Sequence, residues 1–207
     1  MTTLTIIGTG SMGAAIAARI AKAGHTVEVV GRDPAKARAL ADRLVGAATT
    51  GTYGAVPAGD LVILAVPYGS AAAVLSDYGA ALEAKIIIDV SNPVAPDLSG
   101  LVTAPGTSGA QEIAKGAPAG AHVVKAFNTL FGHVLAREGR RDVFIAADDT
   151  GAKARVSSFV ESLGLRAFDV GELRMAQSLE SLGWLMINLA RNGAGTWNFA
   201  LEVDLIA

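Results

Sequence analysis

The chain contains no cysteine, which excludes disulfides, a thiolate nucleophile and a cysteine-ligated metal. Histidine is nearly as scarce: His25, His122 and His133 are scattered, and no metal site is expected. His133 alone falls near a candidate substrate loop, where an imidazole could move a proton. Aromatic residues make up only 5% of the chain and charged residues 17%, leaving a formal charge of −2 with no overall attraction to nucleic acid or an anionic membrane. No apolar run reaches the roughly 18 to 20 residues of a membrane span. The nearest, from Leu61 to Ser76, is broken by Pro67 and Gly69. The opening also lacks a secretory pattern, because glycines follow Thr5-Ile6-Ile7 before an apolar region can form. Neither nucleic acid nor membrane is expected as a partner, and a cytoplasmic location is expected.

Half of the 207 residues are hydrophobic, with alanine and glycine supplying much of the bulk, as close packing of helices on a sheet requires. That length accommodates one full core with a small addition. The expected organisation is a nucleotide-binding domain over residues 1–170 and a helical extension over 171–207.

The rest of the chain is arranged around its beginning. Leu4-Thr5-Ile6-Ile7 reads as a strand, Gly8-Thr9-Gly10-Ser11-Met12-Gly13 as a glycine turn, and the alanine-rich run from Ala14 to Ala21 as a helix. A GxGxxG pattern alone is weak evidence, but between a strand and a helix it has the context of a dinucleotide-binding turn. In such a turn Gly8 permits the bend, Gly10 lets the main chain approach a pyrophosphate, and Gly13 brings helix and strand together. The helix N-terminus offers unpaired N–H groups and the positive end of its dipole to the phosphates. Thr9 and Ser11 add hydroxyl donors, while the alternative is a turn that serves packing alone.

Gly24 predicts the end of this helix, and Thr26–Val30 a second strand, completing a βαβ unit. An acidic residue at the end of that strand selects NAD; here the sequence is Gly31-Arg32-Asp33-Pro34-Ala35-Lys36. Asp33 and Pro34 match an N-cap and first helical position, which accounts for the acid structurally. Arg32 and Lys36 then present two cations to a 2′-phosphate, so NADP is expected rather than NAD. The alternative is that both are solvated surface charges.

The apolar run Asp60–Val66 predicts a buried parallel strand ending at Pro67, and Lys85–Val90 a second ending in Ser91-Asn92-Pro93. His122–Phe127 predicts another, ending in Asn128-Thr129, and Asp142–Ala146 and Leu165–Val170 two more. The fold class is therefore α/β: a Rossmann-type doubly wound, mostly parallel sheet with a small helical C-terminal extension. In such sheets ligands bind beyond the carboxyl ends of the strands, which makes Val66, Pro67, Ser91, Asn92 and Pro93 candidate cofactor-lining residues. Lys125 and Asn128 are candidates for the nicotinamide or substrate side; the alternative has Asn128 capping the segment from Leu130 to Leu135. A helix is expected from Glu172 to about Leu201. It is apolar around most of its circumference, through Leu179, Leu182, Trp184, Leu185, Ile187, Met186 and Leu189, which predicts a homodimer through this segment.

Together, Ile7 to Gly13, Gly31-Arg32-Asp33-Pro34, Ala65-Val66-Pro67, Asp89-Val90-Ser91-Asn92-Pro93 and Lys125-Ala126-Phe127-Asn128-Thr129 resemble the NADPH-dependent coenzyme F-420 (F420) reductase family. Leu179-Glu180-Ser181 and Arg191-Asn192-Gly193 fit it as well. The resemblance implies hydride exchange between NADP(H) and the deazaflavin coenzyme F420, with the two rings stacked in a cleft, and a dimer. It places Thr9, Ser11 and Met12 at the pyrophosphate and nicotinamide end, Arg32 and Lys36 at the 2′-phosphate, and Pro93 and Asn128 beside the reacting rings. Such a transfer needs no nucleophile or metal, since positioning can supply on the order of 7 to 11 kcal/mol. Two other functions use the same turn: an NADPH-dependent reductase of flavin, ferric chelate, imine or carbonyl substrates, and a non-enzymatic NADPH-binding sensor.

Overall fold

A computed structural model describes residues 2–206. Its eight strands are β1 (Thr3–Ile7), β2 (Thr26–Val30), β3 (Ala48–Thr50), β4 (Leu61–Leu64), β5 (Ile86–Asp89), β6 (His122–Lys125), β7 (Asp142–Ala147) and β8 (Arg166–Gly171). They form one sheet in the order β3-β2-β1-β4-β5-β6-β7-β8. Neighbouring strands are parallel throughout, except that β7 runs antiparallel to β6. The order reverses direction between β1 and β4, which is the switch point where a doubly wound sheet opens a crevice.

The central strands β1, β4 and β5 are largely apolar because both of their faces are covered. Leu4, Ile6, Val27, Val29, Ile63 and Ile88 pack with α1 (Ser11–Lys22), α2 (Pro34–Ala41) and α6 (Thr150–Ser162). Their alternates Ile7, Val30, Val62, Leu64 and Ile87 pack on the other face with α3 (Tyr68–Tyr78) and α4 (Gly109–Gly116). A short helix, α5 (Gly132–Leu135), connects β6 with β7. Gly24 ends α1 with a φ of +80°, the left-handed conformation that glycine adopts without penalty.

Register decides where the candidate loops emerge. Ile7 is level with Leu64, Leu64 with Asp89, and Asp89 with Lys125. The chain therefore leaves β1, β4, β5 and β6 at one edge of the sheet.

The C-terminal segment departs from expectation. A single 3₁₀ turn, Leu173–Met175, leads into α7 (Ala176–Asn188), which passes into a π turn at Leu189–Gly193 rather than running to Leu201. The buried face of the helix, Ala176, Leu179, Glu180, Gly183 and Met186, ends with Ala190, and Gly195 follows with a φ of +62°. Once the buried stripe stops, tertiary packing no longer supports the helix. The chain beyond it lies against the protein through Trp197 and Phe199, which meet the Phe131 ring, and Val203, whose N–H donates to Asp142 Oδ2 at 2.6 Å. Among the described residues no helix is long and apolar enough to cross a membrane.

Candidate active site

The glycine turn is built by close backbone approaches. Gly8 has a φ of +126° and donates its N–H to Val30 O at 2.8 Å. A Cβ there would lie 2.1 Å from Ala65 O, and one on Gly13 would lie 2.4 Å from Gly8 O. Gly10 differs from both, because a Cβ on it would meet no atom within 4 Å. It is the N-cap of α1, and no side chain caps that helix. Packing accounts for Gly8 and Gly13 but not for Gly10, whose exposed backbone has room for a ligand.

Helix caps show the same contrast. Asp33 Oδ1 accepts from Ala35 N and Lys36 N to cap α2, Ser108 caps α4 and Asp149 caps α6. α1, α3, α5 and α7 have no side-chain cap, and of these α1 and α3 open onto a cavity of about 550 Å³. Uncapped helix N-termini supply N–H donors and positive potential, as an anionic ligand requires. The cavity walls include Gly8, Thr9, Gly10, Arg32, Lys36, Val66 and Pro67 from the sequence-derived set. They also include Tyr53, Ser70, Ala73 and Asp77, which periodicity and motif spacing do not single out. Arg32 makes no hydrogen bond or ion pair with any described residue, whereas Lys36 Nζ is 3.9 Å from Asp33 Oδ2. Gly31 lacks a side chain where a Cβ would stand 3.2 Å from Thr9 Cγ2.

The other candidates gather at the ends of β5 and β6. Asn92 Nδ2 donates to Asn128 O, and Asn128 Nδ2 donates to Asn92 Oδ1 and to Leu179 O, each at 2.8 Å. A Cβ on Gly183 would lie 2.6 Å from Asn92 Oδ1, so α7 closes directly over this amide pair. Asn128 therefore does not cap α5, whose N-cap is Phe131. Ser91 and Pro93 are buried beside the pair. Phe127 has a φ of 62°, uncommon for a bulky side chain, and this turn in the backbone immediately precedes Asn128. Ser11 and Met12 lie against the start of α5 and outside the cavity lining: a Cβ on Gly132 would be 3.0 Å from Ser11 O and 3.1 Å from Met12 N.

Lys125 lies beneath the turn, wholly out of contact with solvent. Its ammonium donates to Asp89 Oδ2 at 2.7 Å, Ser91 O at 2.6 Å and Glu180 Oε1 at 2.8 Å. Glu180 in turn accepts from Gly109 N and Ala110 N at the start of α4, and Asp89 Oδ1 accepts from Ser91 N. Lys125 thus holds the Ser91 turn and α7 from below, instead of facing a ring as its sequence position suggested. Tyr68, at the start of α3, hydrogen-bonds Glu112; burial, followed by that bond, pushes its phenol up to about 12.

A family model described as NADP oxidoreductase, coenzyme F420-dependent, matches residues 3–93. The chain is 30% identical over 199 residues to the F420-dependent NADP reductase of Methanothermobacter marburgensis, covering 88% of this chain and 89% of that protein. It is 31% identical over 182 residues to the metalloreductase STEAP3 of Rattus norvegicus, but spans only 35% of that protein's length against 86% of its own. A solved structure from Arthrobacter sp. FB24, assigned as an F420-dependent NADP reductase, matches with a TM-score of 0.87 and 26% identity over 99% of this chain and 100% of that one. With the glycine turn, the basic pair after β2 and near full-length similarity to the archaeal reductase, the chain belongs to the F420-dependent NADP reductase family.

Proposed function

We propose that this protein transfers a hydride between NADP(H) and the deazaflavin coenzyme F420. The observation that carries the dinucleotide half is Gly10. Its open backbone at the uncapped start of α1 shares a cavity with the unpaired Arg32. The residues fit the cofactor: the α1 N–H groups, Thr9 and Ser11 hold the pyrophosphate, with Gly8 and Gly13 fixing the turn, and Arg32 with Lys36 holds the 2′-phosphate. Val66 and Pro67 line the same cavity from the end of β4. Met12, Ser91, Asn92, Pro93 and Asn128 bound the nicotinamide end.

When both are bound, the dihydronicotinamide supplies a hydride and the deazaflavin accepts it together with a proton from water. The chain's own residues position. Lys125 and Asp89 hold the Ser91–Pro93 turn, and Asn128 locks Asn92 against α7, which fixes the backbone at the ends of β5 and β6. Such fixed placement is the main contribution a protein makes to transfer between two rings. The F420 half of the proposal is supported by family membership.

The residues 171–207 act as the acceptor-side and dimerisation element in this proposal, with residues 1–170 as the NADP domain. Leu185 on α7 and Leu189 at the start of the π turn remain 55% and 40% exposed, which supports a second copy as the partner that covers them. Cytoplasmic location fits a soluble cofactor pair. The experiment is to mix protein, NADPH and oxidised F420 and follow the deazaflavin absorbance, with free flavin and ferric citrate as parallel acceptors. Selective bleaching of F420 supports the proposal; turnover of flavin or ferric citrate in its place selects the other reductase class, and NADPH binding without turnover selects the sensor.

A further inference from the structure

Between β5 and α4 the chain makes a hairpin that takes no part in either apolar cluster covering the sheet. It is rooted in the Ser91–Pro93 turn: Val102 N donates to Pro93 O and Ala95 N to Gly100 O, each at 2.8 Å, and Val94 pairs with Leu101 in an antiparallel bridge. Leu98 N closes the tip by donating to Ala95 O at 2.8 Å, and Ser99 N donates to Asp97 Oδ1 at 3.0 Å. Among the described residues, the one hydrogen bond that residues 95–101 make outside the hairpin comes from α7, where Trp184 Nε1 stands 3.5 Å from Leu98 O. The hairpin therefore reaches from the end of β5 to α7, the two elements between which the acceptor is proposed to bind.

Leu98 is the anomaly in this hairpin. Its φ is +61°, a left-handed conformation that is costly for a bulky side chain and open to glycine. Two other non-glycine residues share that conformation. Phe127 is wholly buried, so packing explains its side chain, and Ala84 stands in an exposed turn with only a methyl group to place. Leu98 has neither excuse: it is half-buried and belongs to no core cluster. Stability alone would favour glycine or asparagine at such a position. Val94 and Leu101 are likewise half-buried outside both clusters, and Val102 is 53% exposed. Apolar side chains that the chain itself leaves uncovered thus stand beside the Ser91–Pro93 turn, and strained residues concentrate at ligand clamps.

We propose that Leu98 is an acceptor-contact residue: the hairpin forms one wall of the acceptor site, and the Leu98 side chain packs on the apolar face of the deazaflavin ring. This rests on the F420 reading and names the residue that favours an extended apolar ring on the acceptor side. Without acceptor, the leucine only strains the hairpin. With the ring in place, the apolar surface it covers offsets that strain.

The test is Leu98→Gly in the full-length protein, with melting temperature, the Kd for NADPH and the KM for F420 measured together. Glycine suits a φ of +61° but loosens the unfolded chain, so the melting temperature should be unchanged or higher. The KM for F420 should rise about tenfold or more, the scale of one lost leucine contact, while the Kd for NADPH stays within about twofold. Leu98→Met restores an apolar side chain and should keep the KM for F420 within about threefold of wild type. A KM for F420 within about threefold of wild type in Leu98→Gly, an equal rise in the Kd for NADPH, or a lowered melting temperature would overturn the acceptor contact and leave the F420 reading intact. Failure of the wild-type protein to reduce F420 would overturn both.

Discussion

Lys125 Nζ lies 2.8 Å from Glu180 Oε1, and neither side chain is more than 1% exposed. This contact joins the end of β6 to α7 and, through Gly109 N and Ala110 N, to the start of α4. Asp89 completes the cluster from β5 at 2.7 Å. Lys125→Met would leave two buried carboxylates facing each other without a cation. The expected loss is about 3 to 5 kcal/mol of unfolding free energy, measured by urea denaturation. A loss under about 1 kcal/mol would mean that the cluster does not hold the C-terminal helix in place.

The glycines of the turn should separate stability from binding. Gly10→Ala adds a methyl group that meets no protein atom within 4 Å, and the residue's φ of −76° suits alanine. Stability should fall by less than about 1 kcal/mol, the scale of a helix-cap change, while NADPH affinity drops at least about tenfold. Gly8→Ala places its Cβ 2.1 Å from Ala65 O at a φ of +126°, and should cost at least about 2 kcal/mol or prevent folding. Thermal unfolding with and without NADPH distinguishes the two. Unchanged binding in Gly10→Ala would remove the pyrophosphate from this turn.

Arg32→Ala should raise the dissociation constant for NADPH about tenfold or more, since a charge-assisted bond contributes roughly 1.5 to 3 kcal/mol. NADH binding should change little. Equal losses for both cofactors would show that Arg32 does not contact the 2′-phosphate.

Acid should release the C-terminal segment. Burial pushes the Asp142 carboxyl up, but the two bonds from Arg166 and the Val203 N–H outweigh it and hold the group below the usual aspartate range. Because the folded value is depressed, this contribution is complete above the ordinary value near ~3.9 and is lost as pH falls through the lower, folded value. Trp197 fluorescence should therefore report loosening of the segment at acid pH, and Asp142→Asn should remove that dependence while lowering stability at neutral pH. A wild-type transition centred above the ordinary aspartate range would contradict the assignment.

Local signals carried much of the architecture. Asp33 with Pro34 marks a helix start within a few residues, and Asp33 caps α2. The uninterrupted apolar runs marked β4 and β5, because a parallel strand covered on both faces needs no alternation. Long-range partners were not legible. Lys125 reads as a site residue until Glu180, 55 positions away, is seen to neutralise it. Tyr53 and Asp77 belong to a loop after β3 and the last turn of α3, and only the folded chain sets them on one cavity with Arg32. The end of α7 was misjudged because the apolar run continues past Asn188, while the surface able to bury it ends at Ala190.

The most direct measurement of the central claim follows a label. NADPH carrying deuterium at nicotinamide C4, prepared as each of the two stereoisomers, is incubated with the protein and oxidised F420, and the reduced deazaflavin is analysed by mass spectrometry. The account predicts that one stereoisomer delivers its deuterium to F420 without exchange into water, and that the other retains it in NADP⁺. Reduction of F420 with the label lost to solvent, or deuterium transfer to flavin with none to F420, would contradict it.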